Sequence, residues 1–182
     1  MKQEHINEIK KQRNILKAIG VLEIIGGTAG VGIIMWFLLQ GYQMNSYTFL
    51  IYLVAIVFYG YSIYAGVNLF KKNEDAISHS WIIQFIQIVS FSLNGVTFLL
   101  TSGGNLLIGY NFTEKTINIS FGIIASEFNI IANSIENDFI KINILAILII
   151  YFLDKSFKSI KEKQQILNNY IEKIGSHKYN KE

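Results

Sequence analysis

The chain has 182 residues, 51% of them hydrophobic and only 16% charged, with a net charge of +3 and neither proline nor cysteine. A soluble domain carries roughly 25% charged residues, so this composition argues against a water-surrounded globule. Without cysteine there is no disulfide framework, thiolate metal site or cysteine nucleophile; without proline there is no proline kink or polyproline linker.

The charges are bunched. None lies between Glu23 and Lys71, and, with His79 neutral, none between Asp75 and Glu114. A bilayer core asks for about 20 apolar residues per helix. The pattern predicts an all-α membrane protein: a four-transmembrane-helix bundle with helices near 18–40, 47–70, 80–101 and 137–154 inside a membrane domain 18–154. A small extracytoplasmic β-hairpin or three-stranded sheet is expected between the third and fourth helices.

Residues 1–17 form a basic N-terminal segment with a short amphipathic pattern in Ile6, Ile9 and Leu16. The first apolar run is expected to serve as both anchor and targeting signal, because it is long and lacks a small-x-small cleavage site. Within it, Gly26 and Gly30 have the GxxxG spacing that lets two backbones approach closely in lipid. Glu23 is the one acidic residue well inside an apolar segment. Intramembrane carboxylates are costly and find protein or water partners.

The second run follows the link at 41–46 and is rich in rings, among them Tyr59, Tyr61 and Tyr64, whose hydroxyls need partners. Ser62 and Gly66 repeat the small-xxx-small spacing. Packing within one chain and a homodimer contact are both consistent with these small residues. Trp36 and Trp81 suit interfacial anchors.

In the third run Ser80, Gln84, Gln87, Ser90, Asn94, Thr97 and Thr101 recur at three- and four-residue steps, a polar stripe along one face of a helix. Glu23, Gln84, Gln87 and Asn94 are therefore the candidate intramembrane polar site. One reading makes it a proton or cation site, and the other an interhelical hydrogen-bond lock.

Between 104 and 133 the period changes to two. Leu106, Ile108, Tyr110 and Phe112 alternate with small or polar residues, and Ile117, Ile119, Phe121 and Ile123 follow after the turn at Thr113–Thr116. Phe128, Ile130 and Ala132 offer a third strand. This sheet either caps the bundle or recruits a partner by β-augmentation. Its acids, Glu114, Glu127, Glu136 and Asp138, lack calcium-loop spacing, so no metal site is expected.

The fourth run is the shortest, with Lys141 near one end placed to snorkel. The tail 155–182 is basic, with Lys155, Lys158, Lys161, Lys163, Lys173, Lys178 and Lys181. Its apolar positions Phe157, Ile160, Leu167, Ile171 and Ile174 mark an amphipathic helix. Counted with the basic N-terminus, Lys71 and Lys72, this places both termini in the cytoplasm of a multi-pass cell (inner) membrane protein. The bias to Lys, Ile and Asn suggests a bacterial source.

No P-loop, GxSxG, HExxH or dinucleotide fingerprint is present, and His5, His79 and His177 are scattered. No enzyme, catalytic residue, cofactor or nucleic-acid partner is expected. The expected function is non-enzymatic: an interaction, scaffold or complex subunit acting through the outer β segment and the cytoplasmic tail, with the lipid bilayer as surroundings and a homo-oligomer compatible. The alternative is a small carrier or sensor for a proton, lipid or apolar ligand, centred on Glu23 and the polar stripe.

Overall fold

A computed structural model describes residues 2–40, 45–71, 75–122, 126–132 and 137–179. The 41–44 part of the first link, Lys72, Ile123, Glu136 and Lys181 lie outside the described residues. So do the side chains of Ala132, Lys173, Ile174, His177 and Lys178.

Three helices come first: α1 (Lys2–Leu39), α2 (Ser46–Asn68) and α3 (Asp75–Ile86). Six strands follow: β1 (Val89–Leu93), β2 (Val96–Thr101), β3 (Asn105–Asn111), β4 (Thr116–Gly122), β5 (Glu127–Ala132) and β6 (Phe139–Asn143). Helix α4 (Ile144–Tyr179) ends the order. The strands form one antiparallel six-stranded sheet in the order β4-β3-β6-β1-β2-β5.

The protein is therefore not the expected all-α four-span bundle. Among the described residues two helices, Gln3–Leu39 and Ser46–Asn68, are long and apolar enough to cross a membrane. The expected third span, 80–101, breaks at Ile86. Beyond it Val89, Phe91 and Leu93 alternate with Ser90 and Ser92, and Asn94-Gly95 follows. Asn-Gly is a strong two-residue hairpin signal because both residues tolerate positive φ, and here they adopt φ of 50° and 81°. Ser90, Asn94, Thr97 and Thr101 are thus strand and turn residues, not one face of a helix.

The expected fourth span, 137–154, divides in the same way. Phe-Ile-Lys-Ile-Asn at 139–143 is strand β6, paired with both β1 and β3. Asn143 then caps α4, its Oδ1 accepting from the Ala146 amide at 3.3 Å. About ten apolar residues remain before Asp154, roughly 15 Å of helix, half a bilayer core. Lys141 lies in β6, with its ammonium over the Phe139 ring at 4.4 Å.

The 104–133 segment supplies half of the larger sheet. The β3–β4 hairpin pairs Leu106 with Phe121, Ile108 with Ile119 and Tyr110 with Ile117. β5 does not join it. It pairs with β2 at the opposite edge, Phe128 facing Leu100 and Ile130 facing Phe98.

Because side chains alternate across a strand, the register sorts the whole sheet into two faces. One carries Val89, Phe91, Leu93, Phe98, Leu100 and Phe128, and continues through Ile140, Ile142, Ile108 and Tyr110 to β4. The other carries Ser90, Ser92, Thr97, Thr101, Asn105 and Asn143, all buried.

Two apolar clusters hold the helices. Ile34, Ala55, Phe58, Tyr59, Ala65 and Ile83 pack with Leu100, so the β2–β5 end of the apolar face lies against α1 and α2. Leu16, Ile19, Leu69, Ala76, Ile149 and Leu153 join the opposite end of α1 to α4. There Ser156 Oγ donates to Gln12 Oε1 at 2.9 Å.

Candidate functional site

Glu23 sits where α1, α2, α3 and the β2–β3 loop meet, and it is fully buried. Ser80 and Gln84 stand four residues apart on α3 and so share one helix face. Ser80 Oγ donates to Glu23 Oε2 at 2.8 Å, and Gln84 Nε2 donates to Oε1 at 3.0 Å. Both groups holding the carboxyl oxygens are neutral, a hydroxyl and an amide.

The network continues one turn on. Gln87 Oε1 accepts from the Ser102 amide at 2.7 Å, and its Nε2 donates to the Ile83 carbonyl at 3.2 Å. Ser62 Oγ on α2 donates to the Glu23 carbonyl at 3.1 Å and lies 2.9 Å from Ser102 Oγ. Four parts of the chain are fastened at one buried point, and hydrogen-bonding the polar groups there offsets the cost of burying them.

Of the four candidate polar residues, the structure brings Glu23, Gln84 and Gln87 into this network. Asn94 is elsewhere, exposed at the β1–β2 turn, where its backbone N–H donates to Asp138 Oδ1 at 3.1 Å. Ser102 joins the network from the β2–β3 loop, where its Ser-Gly-Gly sequence is like that of any other turn. Its signal is Gly103, whose φ of +93° favours glycine.

The helix-packing residues meet partners within the chain. A Cβ on Gly26 would fall on the Gly103 backbone, and one on Gly30 would fall on the Tyr59 ring. Gly66 faces the backbone of Gly20, one turn from Ser62. Close approach without a side chain is what small residues permit in helix crossings.

Of the three α2 tyrosines, Tyr61 shares a hydrogen bond of 2.7 Å with His79 Nδ1, and the exposed Tyr64 lies edge-on to the same imidazole at 5.1 Å. Tyr59 is buried, and its hydroxyl has no hydrogen-bond partner among the described residues. No group of three metal-ligating side chains occurs among the described residues.

The second notable region is β4. Its outward side chains are Ile117, Ile119 and Phe121, exposed to 72%, 69% and 65%. They continue the apolar face through Ile108, Tyr110, Ile140 and Ile142, which are also exposed. β4 is an edge strand and contains no charged residue. Edge strands of soluble proteins are usually blunted by charge, proline or a bulge, and β4 has neither charge nor proline. The chain matches no protein-family model, no curated protein and no solved structure with which it was compared.

Proposed function

We propose that this chain is a non-enzymatic membrane assembly subunit that joins a second copy of itself through the free edge of β4. The carrying observation is that edge: seven uncharged residues at the end of a continuous exposed apolar face. A contiguous apolar patch of this kind marks an interaction surface. An unpaired strand edge also leaves backbone donors and acceptors that lipid cannot satisfy.

The sequence of β4 favours a second copy as occupant. In an antiparallel pair centred on Ile119, Ile117 stands opposite the partner's Phe121 and Asn118 opposite the partner's Ser120. The apolar face then continues unbroken across the junction, and the contact is isologous, as a two-fold dimer requires. In this reading α1 and α2 cross a bacterial inner membrane. The lysines of the N-terminus, of residue 71 and of the tail lie on the cytoplasmic side.

A carrier or sensor centred on Glu23 has weaker support. Both carboxyl oxygens are already held by Ser80 and Gln84, and Asn94 is not part of the site.

The absence of cysteine makes the test clean. Ile119→Cys, oxidised in native membranes, is expected to give a disulfide-linked dimer of twice the chain mass, because directly opposed strand residues lie within disulfide reach. Ile131→Cys on the far edge strand is expected to give none. A chain that stays monomeric in membranes and mild detergent, or that cross-links only to a different protein, would refute the proposal.

A further inference from the structure

We infer that the chain holds one anionic phospholipid in a cleft between α1, the end of α2, the start of α3 and α4. The cleft has a volume of about 200 Å³ and opens between Arg13 and Lys17 of α1, Lys71 just after α2, and Lys161 of α4. Its apolar wall is formed by Leu16, Leu69, Ile77, Phe157 and Ile160, and among the described residues no acidic side chain lines it.

The four cations come from three separate stretches of sequence, so the fold, not a local run of lysines, gathers them. Lys161 also lies over the Phe157 ring at 5.7 Å, which places its charge beside the apolar wall.

The position of the cleft identifies the occupant. Lys17 is the last cation before the apolar part of α1, and Lys71 is the first after the apolar run of α2. The cleft therefore lies at the level where hydrocarbon meets headgroups, if α1 and α2 span the bilayer as proposed above. A ligand for it must be anionic at one end and apolar at the other. Basic pockets between membrane helices on the cytoplasmic side meet that description for acidic lipid headgroups. A phosphodiester would bridge Arg13, Lys17 and Lys71, an arginine fork and two ammonium groups being suited to its oxygens. The acyl chains would run along Leu69, Ile77 and Ile160.

The test uses the full chain, purified in mild detergent, stripped of lipid and then titrated. Phosphatidylglycerol in mixed micelles is expected to bind and to raise the thermal midpoint. Phosphatidylcholine at the same ratio should do neither. Each of Arg13→Gln, Lys17→Gln and Lys71→Gln is expected to weaken phosphatidylglycerol binding about fivefold, as for one basic group near an acidic headgroup. Lys163→Gln, whose ammonium pairs with Glu162 outside the cleft, should leave it unchanged.

Equal responses to the two lipids would overturn the assignment, as would wild-type binding by all three single variants. Inorganic phosphate reproducing the full midpoint shift would reassign the cleft to a free anion and overturn the lipid. A failure of the β4 dimer leaves these outcomes untouched, because every residue that lines the cleft comes from one chain and none from β4.

Discussion

At its β2–β5 end the apolar face of the sheet lies under two helices, and at its β3–β4 end the same face is bare. At both ends this face is apolar, with Phe98, Leu100, Phe128 and Ile130 at one and Ile108, Ile117, Ile119 and Phe121 at the other. Around β5, Phe128 meets Tyr52 and Tyr59 edge-on at 5.7 and 6.4 Å, and Ser126 Oγ donates to the Gly26 carbonyl. Around β4, Ile117, Ile119 and Phe121 meet nothing among the described residues that hides them. Alternation fixes which side of a strand is apolar. What covers that side depends on where the helices run.

This contrast can be broken at several points. The largest effect is expected where the covered end leaves no room. Gly26→Leu drives a side chain into the Gly103 backbone. It should cost about 3 kcal/mol or more, the upper part of the overpacking range, read as a fall in thermal midpoint or loss of folded protein. Gly60, with nothing within 4 Å of its added Cβ, is the matched control. Gly60→Ala should leave stability unchanged or raise it by about 0.5 kcal/mol.

Next comes Phe128→Ala. Phe128 is half-buried, so the loss should be about 2–3 kcal/mol, somewhat below the range for a fully buried ring. Denaturant or thermal unfolding in detergent would measure it.

A smaller loss is expected at the buried network that anchors this end. Glu23→Ala leaves the Ser80 hydroxyl and the Gln84 amide without an acceptor, at about 1–3 kcal/mol. Glu23→Gln should fold nearly as well as the original chain. Its amide keeps the shape, its oxygen accepts from Ser80, and a rotated Gln84 amide can meet its nitrogen. Unfolding of the Gln variant would show instead that the charge itself is structural.

The smallest effect on stability belongs to the bare end. Ile119→Thr keeps a β-branched strand residue on an exposed surface and should shift the midpoint by less than about 0.5 kcal/mol, while weakening self-association. A loss as large as that of Phe128→Ala, measured on the monomer, would mean that the β4 end is covered within the chain after all.

Several parts of this arrangement were legible in the residues. The charge-free stretch from Glu23 to Lys71 marked the two apolar helices, and the alternation from Leu106 to Phe121 marked the β3–β4 hairpin. The run after Ile86 carries two patterns at once. Ser90, Asn94, Thr97 and Thr101 fit a helical face by spacing, yet Val-Ser-Phe-Ser-Leu-Asn-Gly also fits a strand and a tight turn. Over a short apolar stretch the two periods overlap, and Asn-Gly is the local feature that separates them. Lys141 misled in the same way. A lysine near the edge of an apolar run looks like a snorkelling helix residue until β1 and β3 are seen to flank it.

Composition and local pattern by themselves determined the two long apolar helices and the β3–β4 hairpin, because hydropathy and alternation act within a few residues. The polar steps at Ser80, Gln84 and Gln87 already offered partners for Glu23; the tertiary structure alone decided that Asn94 stands apart and that Ser102 closes the network. It alone decided that four distant cations rim one cleft, and that helices shelter β5 but not β4. Each of these depends on long-range pairing, whose partners are chosen by the packing of whole elements and leave no mark in any single stretch of sequence.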